Sequence, residues 1–391
     1  MAAVTLPKTL GLEVFAARRA HDFTAHQLVD QARSVLAARG AWRRRRAICI
    51  LPVDPRHLAA KCGKLFLEIL HVRFFFAHYT APQPDLHCYS QYVIQSAVVP
   101  VAGHGTRLLP ATKSQPKEML PVARKPIVQY VVEELVSNGI QQILFVTGRS
   151  KASIENHFDH DPELFQALSA ADRQDLLKEL DFEALKANFF YTRQRMPKGL
   201  GDAVLCAENF AGEEPFLVAL GDSILGLNAV SRAVSRMAEV FDFRRASCVI
   251  AVEEVPLEET KHYGIVQPED GTGEIFRVVN LIEKPAPRDA PSNLAIAGRY
   301  IFSPVIFEKI RQVKPDQRGE IQLTNAIQLL CDEGRRVIAV KLPPEEKRYD
   351  IGNFPSYFES FVEFALADPV YGAEFRRVLE RLLAKPIAAK A

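Results

Sequence analysis

The chain has 391 residues, of which 48% are hydrophobic and 25% charged. That is the balance of a globular protein and is enough for one large α/β domain or two ordinary ones. A formal net charge of +2 excludes a global field for nucleic acid. The longest apolar run, Leu65 to Ala77, is interrupted by Glu68, His71 and Arg73, so no membrane span is expected.

The charge is unevenly spread. Residues 1–90 carry thirteen Lys/Arg against six Asp/Glu, a balance of +7 that leaves −5 for residues 91–391. Residues 1–90 sustain neither the helical nor the strand period. A short helix is conceivable over Phe23 to Ala38. It is followed by the Arg43–Arg46 run and then by Pro52, Pro55, Pro82 and Pro84. A basic arm or targeting segment would use such charges. The expectation here is a poorly ordered basic extension, or one that is not translated. A start near Val93 would then use a non-methionine codon, because the next methionine after Met1 is Met119. The six cysteines, Cys49, Cys62, Cys88, Cys206, Cys248 and Cys331, form no CxxC pair. Scattered thiols, and the lack of a clean apolar segment ahead of Arg43, point to the cytoplasm.

From residue 91 the pattern is regular. Ala97 to Ala102 reads as a buried strand entering a glycine turn. Pro126 to Asn138 reads as a helix, with Gly139 as its C-terminal stop. Strands are expected at Ile143–Thr147, Phe189–Gln194 and Phe216–Leu220, and a helix at Leu200–Phe210. Strand and helix therefore alternate, which implies an α/β fold around a largely parallel, doubly wound sheet. Strands at Ser247–Val255, Ile275–Ile282 and Leu294–Phe302 and a helical tail over Pro355–Lys385 follow.

The turn after the first strand, Gly103-His-Gly-Thr-Arg-Leu-Leu-Pro110, lets backbone N–H groups approach an anion. Arg107 adds a planar cation suited to phosphate oxygens. The turn lacks the spacing of a P-loop, and Leu108 stands where a dinucleotide fingerprint needs its third glycine. Asp222 follows a buried strand, the position at which ligands bind in open α/β sheets, and its carboxylate suits Mg²⁺.

The run Gly103 to Pro121, ending Gln-Pro-Lys-Glu-Met-Leu-Pro, resembles the signature of bacterial UTP–glucose-1-phosphate uridylyltransferases, in the sugar-nucleotide pyrophosphorylase superfamily. The resemblance continues through Gln194 to Val204, Leu220-Gly-Asp222, His262 to Val266 and Glu283-Lys-Pro285. It goes on through Gly298-Arg-Tyr300, Gly319 to Thr324 and Tyr349-Asp-Ile-Gly352. It covers residues 92–385 and none of 1–90. It implies a Rossmann-like doubly wound mixed sheet of the nucleotide-diphospho-sugar transferase type, using UTP, glucose 1-phosphate and Mg²⁺, in a homodimer or homotetramer. Neither nucleic acid nor membrane is an expected partner.

Roles follow from the same resemblance. Ala102 and Gly103 would lie under the nucleotide, with Gly105, Thr106 and Arg107 around its phosphates. Lys117 would face the leaving pyrophosphate, and Glu118 the nucleoside. Gln194 and Gly199 would read the uracil edge. Gly264, Glu283, Gly298 and Tyr300 would line the sugar, and Lys284 would hold its phosphate. Asp350 would join Asp222 on the metal. The sequence departs from the pattern at His104, Arg195 and Asn325, of which Arg195 bears most on base preference. Competing readings are a thymidylyltransferase using dTTP, a non-catalytic sugar-nucleotide-binding paralogue, and a nicotinamide-dependent dehydrogenase.

Overall fold

The computed structural model describes residues 2–5, 13–16, 94–271 and 273–384. The chain separates into two units, Met1–Ser90 and Gln91–Ala391. In the first, β1 (Ala2–Thr5) and β2 (Glu13–Ala16) pair antiparallel. The helix expected over Phe23 to Ala38 and the Arg43–Arg46 run lie outside the described residues. No described helix is long and apolar enough to cross a membrane.

The second unit is built on a nine-stranded mixed sheet. Four strands form its parallel half: β3 (Ser96–Pro100), β6 (Gln142–Thr147), β7 (Asn188–Arg193) and β8 (Phe216–Ala219). β3 lies between β6 and β8, and β7 is outside β6. The long strand β13 (Leu294–Phe302) runs antiparallel to β8. It continues the sheet to β10 (Cys248–Glu254), β11 (Gly264–Pro268), β12 (Ile275–Glu283) and β14 (Val337–Lys341).

The period of two sorts the side chains between two apolar layers. Ala97, Val99, Ile143, Phe145, Leu217 and Ala219 face one layer. They meet α1 (Ile127–Ser137), α2 (Ala152–Phe158) and α7 (Ala233–Arg244) there. Val98, Leu144, Val146, Phe216 and Val218 face the other. Their partners are α5 (Leu200–Leu205), α8 (Val305–Gln312) and α9 (Leu323–Asp332). The sheet is covered on both faces, as the unbroken apolar strands require.

Helix α1 ends as its sequence indicates. Gly139 has φ 92°, and its N–H bonds Val136 O (3.0 Å) while Ile140 N–H bonds Leu135 O (3.1 Å). This pair of bonds is the Schellman arrangement. The helix expected over Leu200–Phe210 is instead α5 followed by α6 (Glu208–Ala211). A bond from Ala207 N–H to Val204 O (2.9 Å) tightens the turn between them to the 3₁₀ type. The segment between β6 and β7 carries two surface helices, α3 (Pro162–Ala170) and α4 (Gln174–Leu177), with no buried residues. The tail resolves into α10 (Phe354–Leu366) and α11 (Gly372–Leu383).

A third apolar cluster lies behind the glycine turn. Leu108, Leu120, Val122, Ile127 and Tyr130 pack there with Ile224, Tyr349, Ile351 and Phe364. It joins the short hairpin β4 (Pro121–Val122) and β5 (Lys125–Pro126) to the pair β9 (Ser223–Leu225) and β15 (Arg348–Asp350). Segments more than two hundred residues apart are thus fastened on one small patch.

Candidate active site

The carboxyl ends of β3, β6, β7 and β8 lie on one edge of the parallel half, where open α/β sheets bind ligands. β3 delivers the turn at 103–107, β6 delivers Lys151, β7 delivers Gln194, and β8 delivers Asp222.

At the centre, the Lys117 ammonium donates to Asp222 Oδ2. Burial pulls the Lys117 pKa down, but the Asp222 and Glu118 charges outweigh it and hold the ammonium above its usual range. Burial likewise pushes Asp222 up, and Lys117 more than reverses this, so the carboxyl is held below the ordinary range. The pair is therefore charged on both sides. Lys117 reaches under the turn: a β-carbon on Gly103 would stand 3.9 Å from Lys117 Nζ. Gly105, at φ 64°, accepts a bond from Thr112 Oγ1 at its carbonyl (2.7 Å).

Arg107 is exposed on the 3₁₀ turn Thr106–Leu108, which Leu108 anchors in the third apolar cluster. A β-carbon on Gly352 would stand 3.6 Å from Arg107 Nη1 and 3.1 Å from Asp350 Oδ1. Arg107 and Asp350 thus flank Gly352. Asp350 sits across from Ser223 in the β9–β15 pair, and Ile351 N–H donates to Asp222 O (3.2 Å). Burial pushes the Asp350 carboxyl up, and the Asp222 charge adds to this against Arg348, Lys117 and Arg107.

Lys284 connects to the same group through Tyr263. Its backbone N–H donates to Tyr263 O (3.0 Å), and burial raises the Tyr263 phenol pKa, with the Asp350 charge adding to this against Arg348. Arg348 lies 4.1 Å from the centroid of the Tyr263 ring and is bonded to Glu253 through Nε (2.5 Å). Lys284 has φ 49°, an unusual conformation for a residue with a side chain and one that concentrates at functional sites. Its Nζ donates to Glu283 Oε1 (2.6 Å), while Glu283 Oε2 accepts from Thr324 Oγ1 (2.6 Å). A β-carbon on Gly264 would meet Thr324 Oγ1 at 3.2 Å and Glu283 Oε2 at 3.3 Å. Gly298, at φ 78°, accepts from Leu220 N–H (3.0 Å). The ring of Tyr300 is buried and packs against Phe302, with centroids 5.7 Å apart.

Basic groups, two carboxylates and a glycine turn can bring two phosphates together. A catalyst of phosphoryl or nucleotidyl transfer has to do this against their repulsion. The nucleotidyl transferase family model matches residues 96–365. The chain belongs to this family.

Among relatives, this nucleotidyl transferase is 44% identical over 292 residues to the UTP–glucose-1-phosphate uridylyltransferase of Bacillus subtilis (strain 168), spanning 75% of this chain and 98% of that one. It is similar to a UTP-bound UGPase from Acinetobacter baumannii (TM-score 0.66, 36% identity, 74% of this chain and 100% of that one). It is also similar to a UDP-glucose pyrophosphorylase complexed with UDP-glucose (TM-score 0.64, 36% identity, 71% and 100%).

Around Glu118 and Gln194, the nucleotidyl transferase fold supplies supports that a linear reading passes over. Glu118, 1% exposed, is paired to Lys151 (2.9 Å). Gln194, 6% exposed, directs its Nε2 to Gly199 O (3.2 Å) and Asp202 Oδ2 (2.7 Å). Arg195, His104 and Asn325 are exposed. Lys151, Asp202, Tyr263, Thr324 and Arg348 were therefore not among the expected site residues. Asp202, Tyr263 and Thr324 do fall inside the runs that carry the resemblance, which was the available signal.

The loop after Gln194 docks on the Gly319–Thr324 segment. Ile321 N–H donates to Lys198 O (2.7 Å), and Gly201 N–H donates to Ile321 O (2.8 Å). Gly199 has φ 94°, and a β-carbon there would lie 2.7 Å from Ile321 O. Gly199→Ala is expected to destabilise the domain by roughly 1–3 kcal/mol, the range for a strained backbone position. The measurement is the urea unfolding midpoint. A midpoint equal to that of the parent would mean that the Ile321 backbone yields freely.

Proposed function

We infer that the chain is a UTP–glucose-1-phosphate uridylyltransferase, joining UTP to glucose 1-phosphate to give UDP-glucose and pyrophosphate. The observation that carries this is the Lys117–Asp222 pair, set at the carboxyl edge of the parallel strands with Arg107 and Asp350 beside it. The substrates named for its relatives suit these groups.

The reaction is an in-line displacement. A phosphate oxygen of glucose 1-phosphate attacks the α-phosphorus of UTP, that P–O bond forms, and the bond to the pyrophosphate oxygen breaks. The second pKa of a phosphate monoester is about 6, so the nucleophile is already ionised at neutral pH and no general base is required. Lys284 and Glu283 orient the sugar phosphate. Arg107, Lys117 and the backbone N–H groups at 103–107 meet charge that grows on the leaving pyrophosphate. With both Nε2 protons engaged, Gln194 offers Oε1 to the N3–H of uracil. Glu118, held by Lys151, shapes the nucleoside side without a free carboxylate.

Mg²⁺ fits the carboxylates. Asp222 and Asp350 are hard oxygen donors on paired strands, and no group of three or more His, Cys, Asp or Glu suited to a metal occurs among the described residues. Few protein ligands, completed by water and substrate phosphate, is the pattern of Mg²⁺. When bound, Mg²⁺ would neutralise the nucleotide phosphates and polarise the reacting phosphoryl group. A homodimer or homotetramer is supported by Phe358, Val370, Tyr371, Leu382 and Leu383, which are exposed on and between α10 and α11. Cys206, Cys248 and Cys331 are free and support a cytoplasmic setting.

The test is to incubate purified protein with Mg²⁺, each nucleoside triphosphate and a panel of sugar 1-phosphates, and to identify the products. UDP-glucose is expected, and its absence would overturn the reading. Lys284→Ala is expected to lower kcat/KM for glucose 1-phosphate roughly tenfold to a hundredfold, the worth of a charge-assisted hydrogen bond, with UTP binding nearly unchanged. Parent-level turnover with both substrates would remove Lys284 from this role.

The pH dependence follows from the central pair. Asp222, lowered from 3.8, contributes stability that is present above that value and lost as pH falls through its lower folded pKa. Lys117, raised from 10.5, contributes below that value and is lost only above its folded pKa. Both are charged across the neutral range. kcat/KM for glucose 1-phosphate should therefore rise through about pH 6 with the substrate phosphate and then stay level to about pH 9. A pH–rate profile with a descending limb near neutrality would contradict the charged pair.

A further inference from the structure

We propose that Asp202 is a positioning residue that sets base selectivity by holding the Gln194 amide with its oxygen toward the nucleobase. The proposal rests on the uridylyltransferase reading and deepens it.

A primary amide has two N–H donors on one end and an acceptor on the other. Gln194 is fixed at its backbone, where its N–H donates to Thr147 O (2.9 Å) at the end of β6. Its side-chain nitrogen meets Gly199 O (3.2 Å) and Asp202 Oδ2 (2.7 Å). A peptide carbonyl and a carboxylate accept hydrogen bonds and donate none. Turning the amide over would set Oε1 against two acceptors and lose both bonds at a residue only 6% exposed, which is unfavourable on both counts. The amide therefore has one orientation, with both donors spent and Oε1 left to accept.

Uracil and cytosine differ at the group that meets such an oxygen. Uracil N3 carries a proton. Cytosine N3 carries a lone pair, which would face the lone pairs of Oε1. A site built to receive a donor rejects a ligand lacking it far more strongly than an apolar pocket rejects a misfit. Gln194 alone could not provide this rejection, because a free amide turns over and donates instead. The selectivity thus depends on the neighbour that prevents the turn. Asp202 lies in the first turn of α5, on an element different from that of Gln194.

The competing account is that Asp202 serves only the start of α5, where a negative charge is favourable. Asp202→Asn separates the two. It preserves the shape but can present either an oxygen or an NH₂, so only the longer bond to Gly199 O still favours one orientation of the Gln194 amide. The kcat/KM of UTP and of CTP would be measured with glucose 1-phosphate for the parent, Asp202→Asn, Asp202→Ala and Gln194→Ala. The expected result is a fall in the UTP:CTP ratio of about tenfold or more in both Asp202 variants. The change should lie in KM for UTP, with kcat at saturation within about threefold of the parent. Melting temperature checks that each variant is folded. Parent-level KM and ratio in the folded Asp202 variants, with Gln194→Ala alone losing discrimination, would overturn the proposal and leave the uridylyl reading standing. A parent enzyme that does not turn over UTP would overturn both.

Discussion

Asp222→Asn should lower turnover about 10²–10³-fold at saturating substrates, the range found when one preorganised charge partner is removed from a reacting phosphoryl or acyl centre. The side chain keeps its shape, so the fold should persist. What is lost is a charge with two duties. It holds the Lys117 ammonium in place under the glycine turn, and in the proposed reaction its carboxylate would help hold the divalent cation. With Asn in its place, Lys117 is drawn toward Glu118 and Asp350, the other anions that raise its pKa, and away from the phosphates it should meet. The decisive measurement is a double-variant cycle with Lys117→Met. Residues that act as a unit are far from additive, so the double variant should be little worse than the poorer single one. Independent, multiplying losses would show that the two side chains act separately, and activity of Asp222→Asn within about tenfold of the parent would remove the residue from the centre of the site.

Arg299→Met should destabilise the second unit by about 3–5 kcal/mol, the penalty for leaving one partner of a buried ion pair uncompensated. Arg299 and Glu134 are both fully buried. Arg299 bonds Glu134 Oε2 through Nη2 (2.6 Å) and Oε1 through Nε (3.2 Å), and it also donates to Gly298 O (3.1 Å) and Ser223 O (2.9 Å). One guanidinium therefore ties α1, which follows the glycine turn, to β13 and to the strand that begins beside Asp222. At a few degrees per kcal/mol for a domain of this size, the melting temperature should fall by about 10 °C or more. Adding Glu134→Leu should recover much of the loss, because the orphaned carboxylate is then gone. If the single variant melts with the parent, water or another cation must reach Glu134, and the pair is not sealed from solvent.

Much of the fold was legible because its signals are local. The apolar strands from Ala97, Ile143 and Phe216, the glycine stop at Gly139 and the alternation of strand with helix are properties of short windows, and period and steric rules read them directly. The helix expected over Leu200–Phe210 divides, since a two-residue tightening at Cys206–Ala207 leaves no mark in the hydrophobic pattern, and the expected tail helix divides as well. Motif residues were legible in the same way: Arg107, Lys117, Asp222 and Lys284 stand inside recognisable runs.

Which of those residues touch was a different matter. Lys117 and Asp222 are 105 residues apart, and Glu134 and Arg299 are 165 apart. Nothing near Asp202 announces that it faces Gln194, and nothing near Glu118 announces that Lys151 closes it off. By itself the sequence determined a two-faced α/β sheet with a glycine turn after its first strand and the set of charged groups available to it. Only the tertiary structure decided how those charges are paired, which stay open to a substrate and which way an amide must point. Hydrophobic period is written along the chain, whereas the energy of a charge or a hydrogen-bond donor depends on what folding brings within about 3 Å of it.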